Sequence, residues 1–304
     1  RNVTTYQETQ QDIQLFENAF LDIAVSDAEL FEGIVADIQV KKDGASSFFK
    51  TVKTRLPNGN AQIALPVGSS YEFFISAQNF KSDLFKLDLS NLVLYRNFEK
   101  EIPLTPEKKE VMINVADLSN NARVKSKIVL RNKDRDERIV VDGNSMVSLR
   151  VGDRYEIEAT SDDGYAFNST TLEVGKNSNG VDLKLLKLQL DAKLELKDIL
   201  FESNSATLSD ISFIELERVI QLMNENPTLK VEIAAHTDDI GSDQYNTLLS
   251  NKRAGSVVTF LEENNIDPSR FEFKGYGESQ PKVANDTEEN KAKNRRVELI
   301  VRAI

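Results

Sequence analysis

The first two-thirds of the chain contains short runs in which hydrophobic and polar residues alternate. Examples are "AQIALPV", "SYEFFISA", "LFKLDL", "RYEIEAT" and "DLKLLKLQL". Turn-forming stretches such as "LPNGN", "VDGN", "SDDG" and "KNSNG" separate them. Alternation with a period of two indicates half-buried strands, and many short strands with regular turns are typical of a β-sandwich.

A weak internal repeat divides this β region into two. "ALPVGSSYEFFISA" aligns with "SLRVGDRYEIEAT", and further upstream "LDIAVSD" resembles "VMINVAD". Gly68 corresponds to Gly152 in this alignment. Glycine adopts backbone conformations that other residues resist, so we expect the same turn at both positions. The repeat predicts two copies of one small sandwich, although chance recurrence of the "VG-x-x-Y" pattern is the alternative.

The paired motifs "LPVGSSYEF" and "LRVGDRYEI" resemble those of carboxypeptidase-regulatory or transthyretin-like sandwich modules. An acid-rich stretch, residues 131–144, lies within the second copy. It lacks the regular ligand spacing of a calcium loop. We therefore expect a solvated hairpin loop there.

The pattern changes to mixed helix and strand after residues 188–197. Apolar residues at helical spacing, from Phe213 to Met223, predict an amphipathic helix, and Asp243 is a natural N-cap for a second helix. In chain order we predict a strand, helix, strand, helix, strand, short helix and strand over residues 194–201, 209–227, 230–236, 243–265, 270–275, 288–296 and 297–304. This order indicates a βαβαβ-type α/β domain with helices packed on a mixed sheet.

The predicted fold class is therefore multidomain, with two all-β sandwich modules followed by an α/β domain. Residues 1–18 are assigned to a linker or to the end of an upstream domain. The modules are expected over residues 19–107 and 108–190, and the α/β domain over residues 191–304.

Composition narrows the possible functions. The formal charge of −11 disfavours binding to nucleic acid or to an anionic membrane surface. The absence of cysteine excludes disulfides and thiol chemistry. No apolar run approaches the roughly 20 residues that span a bilayer, and the start of the sequence shows no basic-then-apolar signal segment.

The stretch "HTDDIGSDQYNTLLSNKRA" holds the only histidine of the chain, His236, and several acids. Catalysis by a triad needs a positioned nucleophile beside this imidazole, and none is evident. The carboxylates of Asp238, Asp239 and Asp243 lack the alternating spacing of a calcium loop. Neither a catalytic residue nor a metal site is therefore assigned, and no cofactor is expected.

A third possibility is a site for a zwitterion. Asp238 falls on the strand-to-helix loop, and Arg253 lies almost three helical turns after Asp243. If the two side chains face each other, the carboxylate accepts hydrogen bonds from an ammonium and the guanidinium binds a carboxylate. The spacing alone leaves an alternative open, in which Asp238 shapes the turn and Arg253 is a solvated helix charge.

Several separated blocks resemble the OmpA C-terminal-like domain of OmpA, MotB and Pal proteins. They are "ILFESNSATL", "AAHTDDIGSDQYNTLLSNKRA", "RFEFKGYGESQP" and "NKAKNRRVELIV", and they agree with that family in order and spacing. The resemblance covers roughly residues 194–304 and extends to envelope proteins of the Bacteroidota that combine such a domain with sandwich modules.

The resemblance implies a ligand and a set of contacts. Asp238 would hold the ammonium, and Arg253 the carboxylate, at the free end of diaminopimelate in the peptidoglycan stem peptide. The remaining residues implied to line the ligand site are Thr237, Phe201, Asn204, Asp239, Gly241 and Leu249. By the same resemblance Asn294, Arg295 and Arg296 form a structural motif that braces the last strand.

The expected function is non-enzymatic peptidoglycan binding, which anchors an envelope protein or complex to the cell wall. The expected location is the periplasm, in contact with peptidoglycan and the outer membrane. The alternative is a structural component of a secretion or motility machine, whose sandwich modules bind another envelope protein.

Overall fold

The computed structural model describes residues 17–92, 96–197, 199–202 and 205–304. Most of the predicted linker and the predicted ligand contact Asn204 lie outside these ranges. The chain divides into two compact units. The first comprises Arg1–Lys109, Ser148–Gly152 and Val174–Lys176, and the second comprises Glu110–Val147, Asp153–Glu173 and Asn177–Ile304.

Seven strands form two sheets near the start of the described chain. They are β1 (Asn18–Asp27), β2 (Asp37–Lys42), β3 (Phe48–Lys53), β4 (Asn60–Pro66), β5 (Ser70–Ser76), β6 (Asp83–Asp88) and β7 (Asn97–Leu104). One sheet has the order β4-β1-β7 and the other β3-β2-β5-β6. Alternate residues of β1 and β5, including Leu21, Ile23 and Phe73, are buried in a common core. This arrangement follows from the period-two pattern, which gives each strand one apolar face.

A second set of seven strands repeats this arrangement. They are β8 (Lys108–Asp117), β9 (Lys127–Asn132), β10 (Glu137–Asp142), β11 (Ser145–Arg150), β12 (Arg154–Thr160), β13 (Asn168–Glu173) and β14 (Gly180–Leu185). Their orders, β11-β8-β14 and β10-β9-β12-β13, match those of the first set strand for strand. Gly68 and Gly152 both have positive φ, of 80° and 91°. The acid-rich stretch, residues 131–144, includes the end of β9, the turn that follows it and the whole of β10.

In the described residues, the C-terminal part of the second unit has four strands and three α-helices. They are β15 (Lys193–Leu196), α1 (Asp210–Glu225), β16 (Lys230–His236), α2 (Asp243–Glu263), β17 (Phe271–Gly277), α3 (Glu288–Asn294) and β18 (Val297–Ala303), with a 3-10 turn at Pro268–Arg270. The sheet order is β15-β18-β16-β17. Strands β16 and β17 are parallel, whereas β18 is antiparallel to both of its neighbours. This mixed sheet with helices packed on it confirms the predicted fold class.

Two details of the predicted elements are wrong. The first strand ends at Leu196, and Phe201 makes only an isolated bridge to Leu208. The N-cap of α2 is Ser242, because its extended backbone lets its hydroxyl accept a hydrogen bond from the Tyr245 N–H at 3.2 Å. Asp243 is instead the first helical residue. No helix in the described ranges is long and apolar enough to cross a bilayer.

Helix α1 buries its predicted apolar stripe. Leu216, Val219 and Met223 are buried, and the partly buried Phe213 stacks on Phe260 of α2 at 5.1 Å between ring centroids. The same hydrophobic cluster includes Phe167, which precedes β13. Within the second unit, residues just before β13 and just after β14, such as Phe167 and Leu188, therefore share one core with the α/β domain.

Candidate ligand-binding site

The site lies where β16 ends and α2 begins. His236 is the last residue of β16, and the following loop includes Asp238 and Gly241 before Ser242 caps α2. Gly241 has φ of +117°, and a Cβ atom at this position would lie 3.2 Å from the Tyr245 ring. The loop therefore requires glycine here, which keeps the chain turned tightly over the start of the helix.

Asp238 is buried, and both of its carboxylate oxygens have partners. One oxygen accepts a hydrogen bond from the Ile240 N–H at 3.1 Å, which shapes the turn. The other accepts a hydrogen bond from Arg295 Nη1 at 2.7 Å. The direct cationic partner of Asp238 is therefore Arg295, which the sequence assigned only to a structural motif.

Arg253 is half-buried on α2 and is held without a carboxylate. Its Nε donates to the Ser205 carbonyl oxygen at 3.0 Å, and its guanidinium carbon lies 4.9 Å from the centroid of the Phe201 ring. Burial lowers the pKa of Arg253. The negative charge of Asp238 raises the pKa of Arg253, whereas the positive charge of Arg295 lowers it further. The side chains of Asp238, Arg253 and Arg295 therefore interact electrostatically. No ion pair of Arg253 occurs within the described ranges.

A cavity of about 160 Å³ lies beside these groups. Arg253, Arg295 and Arg296 supply its charged lining, and His236 supplies a neutral polar wall. Its other lining residues are Ile199, Leu200, Phe201, Ala235, Ala292 and Val297. Arg296 is already bonded to Glu298 at 2.7 Å. The cavity thus combines apolar walls with guanidinium groups, a combination suited to a small ligand with a carboxylate.

The other residues predicted to contact the ligand differ in burial and in hydrogen-bond partners. Thr237 is buried, and its N–H donates to the Gly277 carbonyl oxygen at 3.0 Å. Asp239 is exposed and pairs with Lys291 of α3 at 3.3 Å. Leu249 is half-buried on α2. The Asn294 side chain bonds the backbone of residues 282 and 283, and so fixes the loop before α3.

His236 is 2% exposed and stacks on Tyr276 at 5.2 Å between ring centroids. Neither of its ring nitrogens has a hydrogen-bond partner in the part of the chain that the structure describes. Burial, together with the nearby Arg296, lowers the pKa of His236 to about 4. The imidazole is therefore neutral at pH 7, and no described hydroxyl is positioned for it to activate.

The strand order explains why Arg295 reaches the loop. Strand β18 lies beside β16 in antiparallel register, with Val297 opposite Ala235, and the His236 N–H donates to the Arg296 carbonyl oxygen. The residues just before β18 therefore lie beside the residues just after β16. Sequence spacing places Arg295 about 57 residues from Asp238, so only the pairing of these two strands identifies it.

Residues 200–295 match the OmpA family, and this part of the chain is an OmpA-family domain. The chain is 40% identical over 106 residues to outer membrane porin F of Pseudomonas fluorescens, covering 35% of this chain and 32% of the relative. It is 37% identical over 102 residues to the probable lipoprotein YiaD of Escherichia coli, covering 34% and 47% of the two chains.

Among solved structures, the cell wall anchor of the T6SS from Pseudomonas aeruginosa is similar at 31% identity. That match covers 37% of this chain and 80% of the other, with a TM-score of 0.33. The chain spans about a third of the length of the porin F relatives that it matches.

Proposed function

We propose that the C-terminal domain binds peptidoglycan without covalent linkage and anchors an envelope protein or complex to the cell wall. The observation that carries this proposal is Arg253, a desolvated guanidinium that faces a cavity and has no carboxylate partner in the described residues. A partly desolvated cation without an ion-pair partner is destabilising, and a ligand carboxylate would supply that partner. Membership of residues 200–295 in the OmpA family supports the same conclusion.

The proposed ligand group is the free end of diaminopimelate, which carries an ammonium and a carboxylate on one carbon. Arg253 has Nη1 and Nη2 available for two parallel hydrogen bonds to that carboxylate. Asp238 has further lone pairs on the oxygen that accepts from Ile240, so it can accept an ammonium without releasing Arg295. Two such contacts give modest affinity, and many copies acting on a polymer give firm retention.

The proposal also includes a non-enzymatic role and a location in the periplasm. We assign no catalysis to His236, whose role is to pack beneath the loop. The outer-membrane relatives support a place in the periplasm between outer membrane and cell wall.

The test is a titration of a diaminopimelate-containing tripeptide, together with sedimentation of the protein with purified sacculi. Arg253→Gln and Asp238→Asn each remove one charged contact, which is worth roughly 1.5–3 kcal/mol. We expect each to weaken tripeptide binding by roughly ten- to a hundredfold. Lys252→Gln removes an exposed charge next to Arg253 and is the matched control, with affinity kept within about twofold. Sacculus binding by Arg253→Gln equal to that of the wild type would reject the proposal.

A second candidate function is protein binding by the first unit. Phe31 is 84% exposed and Leu56 is 64% exposed. Their loops pack closely, since a Cβ atom on Gly33 would lie 2.2 Å from the carbonyl carbon of Asn58. Exposed large apolar side chains on adjoining loops are a feature of protein contact sites. Crosslinking in intact cells tests this: a defined crosslinked partner lost in Phe31→Ser but kept in Arg253→Gln would support it.

A further inference from the structure

Arg295 links the two sides of the proposed ligand site. It caps the C-terminus of α3, donates to Asp238 at 2.7 Å and donates to Glu288, in the first turn of α3, at 3.0 Å. Hydrogen bonding to Asp238 raises the pKa of Arg295, with a further contribution from Glu288. The guanidinium is thus fixed at the site before any ligand enters.

Arg253 and Arg295 line the same cavity, and the charge of each is felt by the other. Like charges this close repel in a partly desolvated site. Asp238 is the nearby carboxylate, and Arg295 already engages it. A group that enters this cavity therefore meets the guanidinium of Arg253, which has no ion pair in the described residues, and that of Arg295, which is paired with Asp238 and with the exposed Glu288.

We propose that Arg295 determines the ligand specificity of this site by favouring an ammonium that carries an adjacent carboxylate over a bare ammonium. The inference rests on the proposed function and adds a residue to it. Diaminopimelate and lysine form a natural pair for comparison, because their side chains end in the same ammonium. Only diaminopimelate carries a carboxylate on that terminal carbon.

Comparing the two ligands separates the effect of Arg295 on the ammonium from its effect on the terminal carboxylate. Its repulsion and competition for Asp238 act on the ammonium of both, so that contribution cancels in the ratio of their dissociation constants. Its attraction for the terminal carboxylate acts only on diaminopimelate. Removing Arg295 should therefore lower the ratio, even if the affinities of both peptides change. A merely structural residue would weaken both peptides equally and leave the ratio unchanged.

The experiment measures the dissociation constants of two tripeptides, one ending in meso-diaminopimelate and the other in L-lysine, with the full chain at low salt. We expect Arg295→Gln to lower the lysine-to-diaminopimelate ratio by about tenfold, which corresponds to about 1.4 kcal/mol. Arg302→Gln is the matched control. Arg302 is 37% exposed against 38% for Arg295, and it also pairs with two carboxylates, Glu232 and Asp191.

A second variant changes the ratio in the opposite direction. Glu288→Gln removes an exposed carboxylate from Arg295 and leaves Asp238 in place. The charge of Arg295 is then less balanced, so we expect the ratio to rise by about two- to threefold at low salt, where screening is weak. This variant keeps the inference testable if Arg295→Gln does not fold.

The outcomes separate the inference from the function on which it rests. A wild-type protein that binds neither peptide overturns both. A wild-type protein that prefers diaminopimelate, with the same ratio in a folded Arg295→Gln variant or in Glu288→Gln, overturns only the role of Arg295. Opposite shifts in the two variants, with Arg302→Gln unchanged, support it.

Discussion

Two arginines of the second unit, Arg218 on α1 and Arg253 on α2, have opposite surroundings. Arg218 is 7% exposed and bonds three carboxylates: Glu215 at 2.8 Å, Glu158 at 3.0 Å, and Glu156. Burial alone would lower the pKa of Arg218, but these hydrogen bonds raise it overall. Arg253 bonds a carbonyl oxygen and an aromatic ring, and burial lowers its pKa.

The difference indicates how each arginine is used. Glu156 and Glu158 come from β12, so Arg218 joins the preceding sandwich strands to α1 within one unit. Its charge is balanced by the protein itself, and its role is structural. Arg253 has no ion pair among the described residues, so its guanidinium nitrogens stay available for the carboxylate that we propose as ligand. A buried charge by itself thus indicates little until its partners are known.

The largest expected effect comes from breaking the Arg218 cluster. Arg218→Met leaves its carboxylates without their central cation and should lower the free energy of unfolding by about 3–5 kcal/mol. Urea denaturation followed by circular dichroism at 222 nm measures this, because all described helices lie in the second unit. A loss below about 1 kcal/mol would show that the cluster contributes little, and Arg218→Lys should give an intermediate loss.

The second-largest expected effect on stability concerns His236, which is desolvated like Arg218 and Arg253. Its native pKa of about 4 lies below the ordinary 6.5, so the unfolded chain binds a proton first as the pH falls. Its contribution to stability is complete above pH 6.5 and is lost between pH 6.5 and 4, by roughly 3 kcal/mol.

Because the chain has one histidine, His236→Gln provides the control for this prediction. Carboxylates titrate in both proteins, so the difference between the two stability–pH curves isolates the imidazole. Curves that stay parallel from pH 6.5 to 4 would contradict the burial effect on His236.

The smallest expected effect on stability belongs to Arg253 and completes the comparison. Arg253→Met removes a desolvated cation and one hydrogen bond to Ser205 while it keeps much of the apolar stem. We expect the free energy of unfolding to change by less than about 1 kcal/mol, whereas tripeptide binding weakens by roughly ten- to a hundredfold. A loss as large as that of Arg218→Met would mean that Arg253 is also structural.

The pattern of the sequence determined much of this protein. Period-two alternation and a repeated glycine turn predicted two similar β modules, and the structure gives both the same strand order with positive φ at Gly68 and Gly152. Helical spacing from Phe213 to Met223 predicted α1 to within two residues. These features are local, since each depends on side chains a few positions apart. The separated motif blocks likewise identified the OmpA-family domain.

Only the tertiary structure determined which carboxylates pair with which arginines. Arg253 and Arg295 line one cavity, and Arg295 rather than Arg253 bonds Asp238 because β18 lies next to β16. Arg218 finds its carboxylates on β12, some 60 residues away in the chain. The assignments of Thr237, Leu249 and the other contacts stay predictions. Long-range ion pairs depend on which strands become neighbours, and that choice is made by packing of the whole sheet rather than by any local pattern.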